Sequence, residues 1–194
     1  RVSRQLKELQ KRRGIAESKK QSIREISQQR NELLNLLEES YKQYSQERRV
    51  KCEKFQNDSA NKLELRILDS SNRDEFRNRL LSLKRGSYLR EDEINMLCDN
   101  ISPRSFVISL LRYDATHDSQ HLEEVAKDSG ISLKRMKTLA DFLLSSIPYE
   151  ELLSLQYKAL PQDRPEIKYN IGENQYQPLD RISVGQKCTA MLIM

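Results

Sequence analysis

The chain has 194 residues, with 34 Lys/Arg against 29 Asp/Glu for a formal net charge of +5, and 32% charged against 37% hydrophobic side chains. No run of eighteen apolar residues occurs and no signal peptide is visible after Arg1, so composition argues against a membrane-spanning helix and a secretory leader. Cys52, Cys98 and Cys188 are odd in number and widely spaced, which fits neither a disulfide framework nor a metal site and points to a reducing compartment, read as the cytoplasm.

From Arg1 to about Asn57 there is no proline and one glycine, Gly14, within a sequence dense in Glu, Lys, Gln and Arg. These are good helix formers, and they predict one long helix. With Leu6 and Leu9 as core positions, a 3-4 spacing continues through Arg13, Ala16, Lys20, Ile23, Ser27, Arg30, Leu34, Leu37, Tyr41, Tyr44, Arg48, Lys51 and Phe55. The seam is apolar at both ends and polar between Arg13 and Arg30, an imperfect heptad. At 1.5 Å per residue the helix would extend roughly 85 Å. A helix of that length needs a partner over its stripe.

Residues 1–62 hold sixteen Lys/Arg against nine Asp/Glu, and the rest of the chain eighteen against twenty. All the excess positive charge is therefore on the arm. It would suit a surface that tracks nucleic acid, but without a tight basic run or interleaved aromatics the reading adopted is a solvated coiled-coil face with interleaved signs.

Lys62–Leu68 alternates apolar and polar residues and ends at Asp69-Ser70-Ser71-Asn72, which predicts a strand followed by a turn. Arg73 to about Leu160 then reads as a helical insert. Leu80, Leu81 and Leu83, then Ile94, Met96 and Leu97, then Phe106, Val107, Ile108, Leu110 and Leu111 mark short amphipathic helices, punctuated by Pro103, Pro148 and Pro161. Within it, Leu122–Met136 has the layout of a helix-turn-helix, with Ala126 at the crossing, Gly130 at the turn and Ser132 capping a second helix. That second helix carries Lys134, Arg135 and Lys137, the candidate DNA-contacting residues. The same residues suit a plain helical hairpin.

His117-Asp118-Ser119-Gln120-His121 places two histidines four apart, near the His-Glu-x-x-His pattern of zinc proteases. Asp118 or Ser119 reads as an N-cap, which would leave His117 outside the helix that carries His121. A solvent-exposed helix start is the reading adopted, and no metal site is assigned.

Glu166–Ile171 alternates again, Gly172-Glu173-Asn174 turns, and Gln175–Leu179 returns, a hairpin leading into Ser183. Residues 181–194 then form a Ser-x-Gly-Gln turn opening an apolar helix. The first N–H groups of a helix lack intrahelical partners and carry partial positive charge. Ser183 offers a cap or a hydroxyl to an anion, Gly185 allows close backbone approach, and Lys187 adds charge in the first turn. An ordinary capped helix start would have the same residues.

Ile182-Ser183-Val184-Gly185-Gln186-Lys187 resembles the signature motif of ABC-type ATPases, in particular their SMC branch, where the pattern is Leu-Ser-Gly-Gly-Gln or Leu-Ser-Gly-Gly-Glu-Lys. Val184 departs from it, because the family has glycine there. The order of arm, return strand, further strands, signature turn and apolar helix also resembles the C-terminal head half of SMC-like ATPases. The run Leu179–Ala190 looks like the matching stretch of bacterial SMC-like ATPases that accompany PHP-type phosphoesterase domains, the TrlF-like group. None of that domain's metal-binding histidines has a counterpart here.

The resemblance implies a mostly α fold with a small β component, a long coiled-coil helix followed by a helix-rich partial C-terminal lobe. Its parts would be a coiled-coil arm at 1–61, a strand and turn at 62–72, a helical insert at 73–161, and strands, signature turn and the start of the signature helix at 162–194. Ser183, Gly185, Gln186 and Lys187 would contact the γ-phosphate of ATP, with Mg2+, on a partner's P-loop when heads dimerise. The implied partners are the N-terminal half of the same ATPase along the arm, a second head, and DNA, with no membrane, in DNA maintenance or defence. The chain itself has neither a Gly-x-x-x-x-Gly-Lys-Ser/Thr loop nor an apolar strand ending in Asp-Glu, so ATP hydrolysis is expected only of a full-length dimer. The start without methionine and the apolar end are read as those of a piece of a longer protein. Two other classes stay open: a non-catalytic coiled-coil and helix-turn-helix DNA-binding scaffold, and a coiled-coil adaptor.

Overall fold

A computed structural model describes the backbone of residues 2–173 and 175–193 and the side chains of 6–173 and 175–192. Asn174, expected in the hairpin turn, and Met194, expected in the last helix, lie outside the described residues, as does Arg1. The described residues form eight α-helices and a three-stranded antiparallel sheet, so the mostly α class with a small β component holds.

Helix α1 spans Val2–Asp58, close to the extent that helix propensity predicts. The chain divides into two compact units, 1–42 and 43–194, with the boundary inside α1. In the first unit Leu6, Leu9, Ile15, Ile23, Ile26, Leu33 and Leu36 are exposed, whereas Leu34 is buried. Arg12 pairs with Glu8 at 2.7 Å and Arg13 with Glu17 at 2.8 Å, one helical turn apart. Exposed i,i+4 pairs of this kind each contribute only about 0.3–0.5 kcal/mol.

The second unit begins within α1, because residues near its C-terminal end bind the sheet. Ser45 Oγ donates to Asp163 Oδ2 at 2.5 Å, Arg48 reaches the same oxygen at 3.2 Å, and Arg49 pairs with Asp69. Gln56 Oε1 accepts the Leu65 N–H at 3.4 Å. The helix stops where Ala60 and Asn61 take positive φ, 51° and 58°, since a residue in the left-handed region cannot continue the right-handed spiral.

Strand β1 is Leu63–Asn72, β2 Gln162–Asn170 and β3 Tyr176–Pro178. The sheet order is β1-β2-β3, with Leu63 opposite Tyr169, Ile67 opposite Pro165, and Lys168 opposite Pro178. Pro165 has no N–H to donate, and β3 pairs only with residues 168–170, so the proline lies beyond its end. The expected turn at Asp69–Asn72 is instead an irregular continuation of β1. Pairing breaks after Leu68 and resumes at Asn72 opposite Gln162, with Ser70 at φ 48°. Asp163 explains the detour: its Oδ1 accepts the Ser70 N–H at 3.2 Å and holds the kinked strand on the sheet.

Between β1 and β2 run α2 (Asp74–Leu83), α3 (Glu91–Asn100), α4 (Pro103–Thr116), α5 (Gln120–Ser129), α6 (Leu133–Ser146) and α7 (Tyr149–Lys158). Their apolar stripes meet in one core in which Phe76, Leu80, Ile94, Leu97, Phe106, Leu110, Leu122, Met136, Leu139 and Leu143 are buried. Phe76 and Phe106 meet edge to face with ring centres 6.2 Å apart. Each such ring removes roughly 1.5–3 kcal/mol worth of apolar surface from water. Met96, expected on the apolar face with Ile94 and Leu97, is exposed instead. Pro103 starts α4 at a position with no N–H to satisfy, and Ser102 Oγ accepts the Ser105 N–H at 3.0 Å. The Tyr113 hydroxyl donates to Asp141 at 2.6 Å, tying α4 to α6, and this bond, helped by burial, pushes the phenol up to about 12.

Candidate functional site

Strand β3 passes through a 3-10 turn, Leu179–Arg181, into Ile182, Ser183 and helix α8, Val184–Ile193. Ile182 and Ala190 are buried and pin the segment, while Val184, Met191 and Leu192 are exposed. Ser183 and Gln186 bond reciprocally across the first turn. Ser183 Oγ accepts the Gln186 N–H at 3.3 Å, and Gln186 Oε1 accepts the Ser183 N–H at 3.0 Å. That is a capping box, in which the Ser183 and Gln186 side-chain oxygens each accept one backbone N–H.

The first-turn N–H groups of Val184 and Gly185 precede any intrahelical acceptor, both residues are exposed, and no acidic residue occupies that turn. Arg181 is exposed and Lys187 half-buried, and the Lys187 N–H closes the first helical bond to the Ser183 carbonyl at 2.9 Å. A first turn of this kind can hold an anion on its N–H groups. Because Ser183 Oγ only accepts in its bond to the Gln186 N–H, its O–H can still donate to an anion with the cap closed. Val184 is not among the residues of positive φ, so valine sits at that position without backbone strain. A Cβ at Gly185 would meet nothing within 4 Å. The glycine is thus needed neither for conformation nor for internal packing.

The second candidate group sits at the N-terminal end of α6. Helix α5 ends at Gly130 with φ 70°, and the Ile131 N–H returns to the Ala126 carbonyl at 3.0 Å, the wrap of a helix stopped by a left-handed glycine. Ala126 is buried. Ser132 occupies the cap position of α6 but its side chain makes no capping bond. Lys134 and Lys137 are exposed. Arg135 is not available in the same way: its guanidinium pairs with Glu93, with Nη2 at 2.5 Å from Oε2, and reaches the Tyr88 carbonyl at 3.3 Å. Burial alone would raise the Glu93 pKa, but bonds from Arg135 and from the Arg90 N–H hold it below the usual glutamate value.

His117 is the left-handed cap of α4, and His121 lies in the first turn of α5, so the two belong to different elements. Among the described residues no group of three or more His, Cys, Asp or Glu could hold a metal ion. Burial pushes the Cys98 thiol up to about 12 and raises that of Cys52, which keeps both from acting as thiolates near neutrality. Two features escape the sequence reading. One is the Asp163 clamp, whose members are spread over three distant segments. The other is Tyr88, whose signal is only a short basic and aromatic loop ahead of α3.

Fold and site define a helical protein with a long helix tied by a small antiparallel sheet to an exposed, capped helix N-terminus. No family model, curated protein or solved structure matches the chain. Among the described residues no helix is long and apolar enough to cross a membrane.

Proposed function

We propose that the chain is part of an SMC-like ABC-type ATPase and supplies the signature segment of a composite nucleotide site. Ser183, Gly185, Gln186 and Lys187 then contact the γ-phosphate of ATP, with Mg2+, on a P-loop presented by another segment or protomer on head dimerisation. The observation that carries this reading is connectivity. Strand β1 follows α1 directly, pairs with β2, and β2 pairs with β3, which feeds the exposed N-terminus of α8. One sheet therefore couples the end of the long helix to the proposed phosphate contact. The site supplies an anion-binding turn and no general base or metal ligand, so the role is binding in trans, with hydrolysis left to the partner half. The compartment proposed is the cytoplasm, in DNA maintenance or defence, with the other half of the ATPase covering the exposed leucines of α1.

The test is Ser183→Arg in the protein expressed with its flanking sequence. Loss of ATP-dependent head dimerisation, with folding intact by circular dichroism, supports the assignment; undiminished turnover and normal dimerisation overturn it. The reciprocal Ser183–Gln186 cap favours one second reading, a coiled-coil adaptor in which α8 is simply a well-started helix. The Arg135–Glu93 pair counts against α6 as a duplex-reading helix, because one of its three basic residues is already engaged within the fold.

A further inference from the structure

The loop Lys84–Arg90 between α2 and α3 holds Tyr88 with φ 59° and 91% of its surface exposed. A bulky residue in the left-handed region is strained, and glycine would adopt that backbone at no steric cost. Full exposure means the ring adds nothing to the core. Neither conformation nor packing therefore accounts for a tyrosine there, and strain of this kind persists only where the surroundings enforce it. The enforcement is visible. Ser87 and Leu89 on either side are buried, Lys84 Nζ donates to the Leu89 carbonyl at 2.7 Å, and Arg135 donates to the Tyr88 carbonyl at 3.3 Å. Gly86, at φ 106°, lets the loop turn directly over the Phe142 ring. The loop is thus a fixed mount for one outward aromatic ring.

Its charge identifies what the ring would meet. Residues 84–90 contain Lys84, Arg85 and Arg90 and no acid, and Lys134 is exposed beside the Arg135 that braces the loop. Glu91 and Asp92 follow on the first turn of α3, where they complement the helix dipole, and Glu93 is neutralised by Arg135. A rigid exposed aromatic in a loop that carries exposed Arg85 and Arg90, with exposed Lys134 on the helix that braces it, offers a stacking face and phosphate contacts together, the chemistry that recognises single-stranded nucleic acid. We infer that Tyr88 and these three cations form a binding surface for single-stranded DNA or RNA, with a base stacked on the Tyr88 ring. The inference is independent of the nucleotide-site reading, since the loop belongs to the helical insert and shares no residue with α8.

The experiment is fluorescence anisotropy of the chain with labelled oligo-dT and oligo-U of about twenty nucleotides, at about 50 and about 200 mM salt. Tyr88→Phe keeps the stacking face and retains affinity. Tyr88→Gly relieves the strain, so its melting temperature equals or exceeds that of the parent, while affinity falls at least about fivefold. Arg85→Ala weakens binding to both strands and lowers the logarithmic salt slope by about 0.7, one phosphate contact. Tighter binding of oligo-U than oligo-dT assigns the surface to RNA, and the reverse assigns it to DNA. Absence of binding to either oligonucleotide at the lower salt overturns the inference, as does a Tyr88→Gly variant that binds like the parent.

Discussion

Ser45 and Asp163, 118 residues apart in the chain, share a 2.5 Å hydrogen bond that locks the C-terminal part of α1 onto strand β2. Arg48 and the Ser70 N–H converge on the same carboxylate, so one side chain holds a helix, an irregular strand and its neighbour together. Burial of the carboxyl opposes ionisation, but the bonds from Ser45, Ser70 and Arg48 outweigh it, and the pKa of Asp163 falls below the ordinary aspartate value.

That shift gives a stability prediction with a definite sign. A folded-state pKa below the unfolded one means the contribution is complete above the ordinary aspartate pKa of about 3.9 and is lost as pH falls through the lower folded value. Asp163→Asn should cost about 2 kcal/mol at neutral pH, in line with charge-assisted hydrogen bonds. Urea midpoints measured from pH 7 downward should show the gap between parent and variant closing only below the usual carboxylate range. A gap that stays constant across that range would mean the carboxylate charge is not what holds α1.

Two glycines separate backbone strain from packing. At Gly130, φ is 70° and a Cβ would touch only the flexible end of Met96 at 3.0 Å; at Gly86, φ is 106° and the Cβ would press on the Phe142 ring at 2.8 Å. Gly130→Ala should therefore lose about 1–2 kcal/mol through its left-handed backbone alone. Gly86→Ala should lose more, because a ring packed against the core must also move. Thermal denaturation of both variants checks the order.

At α8, Gly185 sets helix stability against ligand approach. Ser183→Ala removes one half of the capping box and should destabilise α8 by about 1 kcal/mol, read as faster amide exchange in residues 186–190. Gly185→Ala fills open space at ordinary φ and should stabilise the helix by up to about 1 kcal/mol. If the turn receives a γ-phosphate, Gly185→Ala nevertheless weakens ATP-dependent dimerisation, because the added methyl stands where the ligand approaches. A variant that is both more stable and fully competent for dimerisation would leave the adaptor reading ahead.

The apolar stripe of α1 is tested by charge. Leu9 and Ile23 are 62% and 64% exposed, so changing both to Glu should leave the urea midpoint of residues 43–194 unaltered. Trypsin should cut the parent within residues 1–42 at low protein concentration and more slowly when a helical partner covers the stripe. The double variant should be cut at the same rate whether or not that partner is added.

Local chemistry made much of this fold legible. Helix α1 follows from some fifty residues free of proline, the insert helices from their 3.6-residue apolar spacing, the β2–β3 hairpin from alternation around Gly172, and the start of α8 from Ser183. Each of these is set by residues a few positions apart, so a linear reading can find them. The partner of Ser183 was legible too in principle, since Ser-x-x-Gln is a capping box, although the anion-binding reading of Gln186 passes over it. Tertiary structure alone decided where the units divide, that Asp69–Asn72 continues a strand, and that Arg135 is spent on Glu93 rather than offered to a ligand. It also decided that Tyr88 stands strained and fully exposed. The physical reason is common to all four: each depends on contacts between distant segments, and a charge or a ring read in sequence announces what it could bind without saying which neighbour the fold will bring to it.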